Sequence, residues 1–278
     1  MRTHVPASLL ALAAACVATT AGAEEKPLWE AGLGVGALSF PDYRGSDESQ
    51  VYPVPVPYFV YRGKIFKADR DGVRGELFDE RYVELNVSVS ATIPVKSDDN
   101  DARRGMPDLK PTIELGPSLD LHLWRSQDED IKLDLVMPVR VPLTLETSPR
   151  SIGWVFSPRI NIDVDNIADR GWNFGFGAGP VYADDKFHDY FYSVDARYAT
   201  AERPEYEAHG GYSGLYFLTS LSKRFPKYWV GAYMRYDSLS GAVFENSPLV
   251  RSNGYWAGGF GIAWMIGQSK RMVQTDDE

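Results

Sequence analysis

Apolar and polar residues alternate along most of the chain. The clearest run is 131–146, where Ile131, Leu133, Leu135, Met137, Val139, Val141, Leu143 and Leu145 share one face. The opposite face carries Lys132, Asp134, Val136, Pro138, Arg140, Pro142, Thr144 and Glu146. A period of two is that of a β-strand, whose successive side chains point to opposite sides. Residues 82–95 and 112–124 repeat it, with Val83, Leu85, Val87 and Val89 against Glu84, Asn86, Ser88 and Ser90, and Ile113, Leu115, Leu119 and Leu121 against Glu114, Ser118, Asp120 and His122. In 152–164, Ile152, Trp154, Phe156, Ile160, Ile162 and Val164 oppose Ser157, Arg159, Asn161 and Asp163.

Length decides between a soluble and a membrane sheet. Soluble strands run to about five or six residues, whereas crossing a bilayer at a tilt takes about 9–11. These runs reach the second figure. Their polar faces mix Ser, Thr, Asn, Gly and charges of both signs, as a barrel lining does, rather than the Lys and Glu of a solvated sandwich face. A sheet edge left open in hydrocarbon would strand its amides, so the strands must close on themselves. The pattern predicts an all-β fold, a closed antiparallel transmembrane β-barrel. Its strands fall at 29–40, 50–62, 64–70, 73–78, 81–95, 110–125, 131–146, 152–165, 171–184, 212–224, 228–240 and 253–266. That makes about twelve, or ten if the short charged pair 64–70 and 73–78 packs elsewhere. The turns at 126–130, 166–170 and 225–227 are short and belong in the periplasm; 96–109, 185–211 and 242–252 are longer and belong outside the cell. Trp29, Phe40, Tyr58, Tyr61, Trp124, Trp172, Tyr182 and Tyr228 cluster near strand ends, as interfacial girdles do.

The first 23 residues break the pattern. Arg2, the apolar run 7–18 and Ala21-Gly22-Ala23 read as a secretory signal cut between Ala23 and Glu24. Cys16 after Leu12-Ala13-Ala14-Ala15 also suggests a lipoprotein site, but leucine sits one position early. Domains therefore divide as signal 1–23, barrel 24–267 and polar tail 268–278. Loss of the signal removes Arg2 and no acid, taking the net charge from −9 to −10, and removes the only cysteine. Disulfide and thiol chemistry are excluded, and the acidic balance argues against nucleic acid as a partner.

Four pieces then carry a resemblance. They are Pro41-Asp42-Tyr43-Arg44-Gly45-Ser46-Asp47-Glu48 with Val54-Pro55-Val56-Pro57-Tyr58-Phe59-Val60-Tyr61-Arg62; Phe191-Tyr192-Ser193-Val194; Gly210-Gly211-Tyr212-Ser213-Gly214; and Ser247-Pro248-Leu249-Val250. In that order the chain resembles the MltA-interacting protein (MipA/OmpV) family of outer-membrane proteins. The resemblance implies a Gram-negative outer-membrane barrel with no known catalytic residues. It implies partners too: a lytic transglycosylase and a bifunctional penicillin-binding protein, joined by the named member as a scaffold, beside outer-membrane lipid. Other members are associated with adhesion, antigenicity or antibiotic uptake. One departure stands out. Such barrels usually end on an aromatic residue, whereas here Trp264-Met265-Ile266 precedes the tail 267–278. The assembly signal would be internal, with Trp256, Phe260, Ile262, Trp264 and Ile266 facing lipid. The tail is then a solvated extension or a periplasmic docking peptide.

Candidate chemistry is sparse. Ser118, Asp120 and His122 share a face and invite a hydrolase reading, but residues two apart on a strand are about 6.6 Å apart and four apart about 13 Å, beyond a nucleophile–base contact. His122, His188 and His209 show no metal-ligand spacing. Gly32, Gly34 and Gly36 lack the Lys and helix of a phosphate loop and read as glycines of a curved strand. No cofactor is implied. The inward charges Glu84, Glu114, Asp120, Lys132, Asp134, Arg140, Arg159, Asp163 and Arg235 should form a paired lumen network, because an unpaired enclosed charge is costly. With twelve strands the interior should be narrow or partly occluded. The loop 185–211, rich in tyrosine, either folds inward or presents an aromatic surface. The sequence thus predicts a non-enzymatic outer-membrane barrel resembling a murein-complex scaffold. A narrow uptake channel is the alternative, and a lipid-modifying barrel enzyme a third.

Overall fold

The computed structural model describes residues 25–62, 66–69, 72–75, 78–80, 82–128 and 130–274. The expected signal segment with its expected cleavage pair Ala23 and Glu24 lies outside the described residues, as does the end of the tail beyond 274.

Among the described residues, the regular secondary structure is antiparallel β-sheet apart from one short helix and three single-turn 3-10 segments. No described helix is long and apolar enough to cross a membrane. The strands are β1 (Glu25–Pro27), β2 (Trp29–Pro41), β3 (Ser49–Arg62), β4 (Phe66–Asp69), β5 (Gly72–Gly75), β6 (Phe78–Glu80), β7 (Val83–Thr92), β8 (Thr112–Arg125), β9 (Ile131–Thr144), β10 (Val155–Phe156), β11 (Arg159–Val164) and β12 (Trp172–Ala183). Helix α1 (Asp185–Tyr192) precedes β13 (Gly211–Arg224), β14 (Tyr228–Ser238), β15 (Gly254–Gln268) and β16 (Met272–Gln274). Strands β2 to β15 form one sheet in which chain neighbours pair except at β5/β6 and at β10 and β11, which both lie between β9 and β12, and β15 pairs with β2 across the termini. The two ends of the strand order are β5 and β6, which are consecutive in the chain with only residues 76–77 between them. Both run antiparallel to a flanking strand, β5 to β4 and β6 to β7.

The expected alternation is present strand by strand. On what we term the outer face, Leu33, Val35, Val139, Val141, Phe217, Trp256, Phe260, Trp264 and Ile266 are all exposed. The inner face holds Glu30, Glu84, Asn86, Glu114, Ser118 and Asp163, all buried. Apolar residues outside and buried polar residues inside invert the soluble arrangement.

Three boundaries differ from expectation. The strand expected at 152–165 starts at Val155, because Gly153 (φ +116°) turns the chain where a Cβ would lie 2.0 Å from Asp184 Oδ1. It is then split at Ser157–Pro158, where proline cannot donate to the ladder. The segment 73–78 becomes β5 and β6. The tail does not simply leave the sheet: β16 pairs with β1, Lys26 opposite Val273. In β2, a Cβ on Gly34 would fall 1.7 Å from Ile262 O, so glycine is required by the close approach of β15.

The largest fully buried side chains, Phe244, Leu239, Leu249 and His188, lie beyond the strand ends in the long connections. The larger buried apolar cluster among the described residues is therefore a cap.

Candidate functional site

The cap is assembled by residues 42–48, 93–111, 184–210 and 239–253. Its interior comprises Tyr43, Val95, Leu109, Tyr192, Val194, Leu239, Phe244 and Leu249. Helix α1 enters with Asp184 as N-cap, its side chain accepting from Phe187 N at 3.1 Å. That sets Tyr192 flat on Phe244, ring centroids 3.7 Å apart and 9° from parallel. The loop 185–211 thus folds inward over the sheet, which decides between the two expected placements.

The motif stretches 41–48, 191–194, 210–214 and 247–250 meet here, while 54–62 lie in β3. The Tyr43 hydroxyl donates to Leu249 O (2.7 Å), the Tyr192 hydroxyl to Arg44 O (2.9 Å), and Ser247 Oγ to Tyr192 O (2.6 Å). Gly45 holds φ +96°, a left-handed conformation suited to glycine. Its carbonyl accepts from both Arg251 N and Ser252 N. Asn100 bridges Asp42 Oδ2 (2.9 Å) and Ser46 Oγ (3.1 Å). Ser213 Oγ lies 2.6 Å from His188 Nε2, and His188 Nδ1 2.5 Å from His209 O. Both side chains are fully buried, so the Ser–His pair is a structural tie without access to a substrate. Burial holds the His188 imidazole below its ordinary pKa.

Beneath the cap, Arg44 joins it to the sheet wall. Its guanidinium contacts Asp237 Oδ1 (3.1 Å) and the Tyr255 hydroxyl (3.2 Å). Arg235 contacts the same carboxylate (2.9 Å from Nη2) and stacks 4.4 Å from the Tyr216 ring centroid. Two cations thus share one fully buried carboxylate, Asp237. Arg235 was legible from parity; Asp237, two residues on along the same face, carried the same signal and Arg44 carried none.

The expected network resolves into separate pairs. Arg140 binds Glu114 Oε2 (3.0 Å) and reaches Ser157 Oγ (3.1 Å). Asp134 takes His122 Nδ1 and Arg125 Nη2, each at 2.8 Å. Lys132 faces Asp165 (3.4 Å), and Asn86 links Glu84 to Asp120. Asp163 accepts from Asn161, while Arg159 makes no ion pair among the described residues. The hydrolase constellation does not form. Ser118 Oγ donates to Asp120 Oδ1 at 2.6 Å, closer than backbone spacing suggests because both side chains lean together, but His122 turns to Asp134 on the next strand. Among the described residues no three His, Cys, Asp or Glu cluster as a metal site would.

These charges occupy one side of the inner face, β7 to β11. The other side, β14, β15, β2 and β3, presents Trp229, Leu38, Phe40, Tyr52, Val54 and Val56 above a floor of glycines. Val56 covers Gly36 and Gly261, and Leu38 covers Gly259. Phe40 stacks on Tyr52 (5.0 Å) and Tyr58 on Trp229 (5.9 Å). The inner surface thus has an ionic side and, opposite it, an apolar middle bounded by Arg235 and Asp237 at the cap end and by the Glu30–Arg224 pair (3.2 Å) at the short-turn end.

Comparison with known proteins gives the following. A family model described as MltA-interacting protein MipA matches residues 33–266. Outer membrane protein OmpV of Vibrio cholerae serotype O1 is 24% identical over 212 residues, covering 74% of this chain and 76% of that protein. The crystal structure of the Ralstonia pickettii toluene transporter TbuX aligns over 89% of this chain and 71% of its own at 9% identity. Its TM-score of 0.26 is too low to carry an argument about fold or transport.

Proposed function

The chain belongs to the MltA-interacting protein MipA family, and from that premise we propose that it is a non-enzymatic scaffold for a murein-cleaving lytic transglycosylase. It is an outer-membrane protein of a Gram-negative bacterium. Closure of the sheet into a barrel is part of this reading, and β5 and β6, the two ends of the strand order, are where it would occur. A further partner of the penicillin-binding class would complete a cutting-and-synthesising pair.

The observation that favours a scaffold over a channel is the cap. Leu239, Phe244 and Leu249, all with zero exposure, fill the long-loop mouth, and Arg44, Arg235 and Asp237 tie it to the wall beneath. A solute path through that end would have to break this core. Function then falls to surfaces, and for a murein enzyme the relevant one is periplasmic. There the β1–β16 ladder joins the two ends of the chain beside Arg62, whose Nη1 donates to Pro27 O at 2.9 Å.

The test pairs a purified lytic transglycosylase with the full chain in detergent. Saturable binding is expected, retained after Phe244→Ala in the cap and weakened by deleting 269–278. Absence of binding, together with stable single-channel steps in a planar bilayer, would replace the scaffold with the uptake channel.

A further inference from the structure

Strand β3 contains an arrangement that the scaffold reading does not use. Its centre reads Pro53-Val54-Pro55-Val56-Pro57, three prolines in one phase. The register with β2 nevertheless runs through thirteen consecutive pairs without a shift, Trp29 opposite Tyr61 to Pro41 opposite Ser49. In an antiparallel ladder successive residues turn their N–H and C=O to opposite neighbours. At both ends of β3 the even-numbered residues face β2: Arg62 N donates to Leu28 O (2.8 Å), and Glu48 O accepts from Asp42 N (3.0 Å). Val54 and Val56 therefore carry the ladder to β2, and the three prolines all turn to the far edge.

That far edge is the side on which β3 has little company. Among the described residues it pairs with β4 only at Tyr61 and Arg62. Opposite it, β6 pairs with β7 only from Val83 to Leu85. An unpaired N–H in hydrocarbon is a large penalty, and proline removes the group that would incur it. Three fewer donors lower the cost of leaving this edge open, where the carbonyls of residues 53, 55 and 57 still turn outward and need water, and the prolines resist zipping by an incoming strand. The two faces of β3 agree with such a place. Outward it shows Val51, the proline rings and Phe59, all exposed; inward it shows Tyr52, Val54, Val56 and Tyr58. A strand apolar on both faces, edged by proline, separates the lipid from the apolar inner wall.

We infer that the proline edge of β3 is a lateral opening through which small, uncharged, ring- or alkyl-bearing molecules pass between the hydrocarbon layer and the apolar wall of the lumen. The cap fits this route, because it seals the aqueous mouth and leaves the lipid side as the way in. The ionic wall across the lumen gives the opposite chemistry, so an apolar guest is held to one side. This function is independent of transglycosylase binding and fails or stands separately from it.

Cysteine accessibility in the full chain, reconstituted in liposomes, tests it. Three single-cysteine variants are compared: Val54→Cys on the apolar inner wall, Val51→Cys on the outer face, and Ser220→Cys on the inner face of β13. Each is exposed to a pyrene maleimide dissolved in the bilayer and to a charged, membrane-impermeant methanethiosulfonate. Val54→Cys should react with the lipid-dissolved reagent at a rate within about tenfold of Val51→Cys, and Ser220→Cys should not. Replacing Pro53, Pro55 and Pro57 by valine restores three donors that the bilayer forces to pair, and should slow the Val54→Cys reaction by more than about tenfold while Val51→Cys is unchanged. Protection of Val54→Cys from the lipid-dissolved reagent in the wild-type background would overturn the opening, whether or not the valine variant folds. An unchanged rate in a folded valine variant would overturn the role of the prolines.

Discussion

At the residue scale the cap depends on a few side chains whose chemistry is unusual for an exposed end of a barrel. His188 is fully buried between Ser213 and the His209 carbonyl, with the Arg44 cation and the Asp184 and Asp185 carboxylates as its charged surroundings. Burial depresses its folded pKa below the ordinary value near 6.5. Protons then favour the unfolded cap, so the stability it supplies is complete above about pH 6.5 and is lost as pH falls through the depressed folded value. Hydrogen exchange of amides 186–194, corrected for intrinsic rates, should accelerate between pH 7.5 and pH 5. His188→Gln should abolish that pH dependence; persistence of it in the variant would place the titrating group elsewhere. The sequence showed His188 only as one of three scattered histidines. Its burial arises from Phe244 and Ser213, residues that no local period connects to it. Likewise Arg203, in the long connection 185–211, is buried, donating to Ala102 O and Arg104 O at 3.0 Å.

At the scale of the element, the strands were readable because two constraints act on every residue: which side it faces and how long the run must be. Strand β9 shows both. Val139 is 42% exposed on the outer face, whereas Val136 is 8% exposed on the inner one. Val139→Arg should cost about 2–4 kcal/mol, the range for a cation at the bilayer midplane, while Val136→Ser should cost far less; urea unfolding of the two variants in liposomes measures the difference. Equal losses would invert the assigned faces. Pairing across strands adds a second expectation. Arg140→Met leaves Glu114 enclosed without its cation and should cost about 3–5 kcal/mol. Much of that should return in the Arg140→Met, Glu114→Gln double variant, read in the same assay. The split of β10 from β11 was also present in the sequence, as Pro158, but alternation on either side masked it. The cap was not readable at this scale. Loops carry no period, and the bond from Tyr43 to Leu249 spans 206 positions.

At the scale of the molecule, the short turns gather at one end of the sheet and the cap at the other, with β1 and β16 beside the short turns. Apart from 54–62, which lie in β3, the motif stretches that suggested a family from sequence turn out to lie in or beside the cap. Parity then assigns the cap to the cell exterior and the turns to the periplasm, which is where a murein enzyme works. That orientation is the central claim, since both the scaffold surface and the sealed mouth depend on it. Cys16 is the only cysteine of the chain and falls in the segment expected to be removed as a signal, so after that removal an introduced thiol reports its own position. Glu202, exposed in the cap, and Lys227, exposed in the turn between β13 and β14, are the sites to use. In intact cells a membrane-impermeant maleimide should label Glu202→Cys and leave Lys227→Cys unlabelled until the outer membrane is opened. Labelling of Lys227→Cys but not Glu202→Cys would invert the topology, and labelling of both in intact cells would contradict a sheet that spans the membrane.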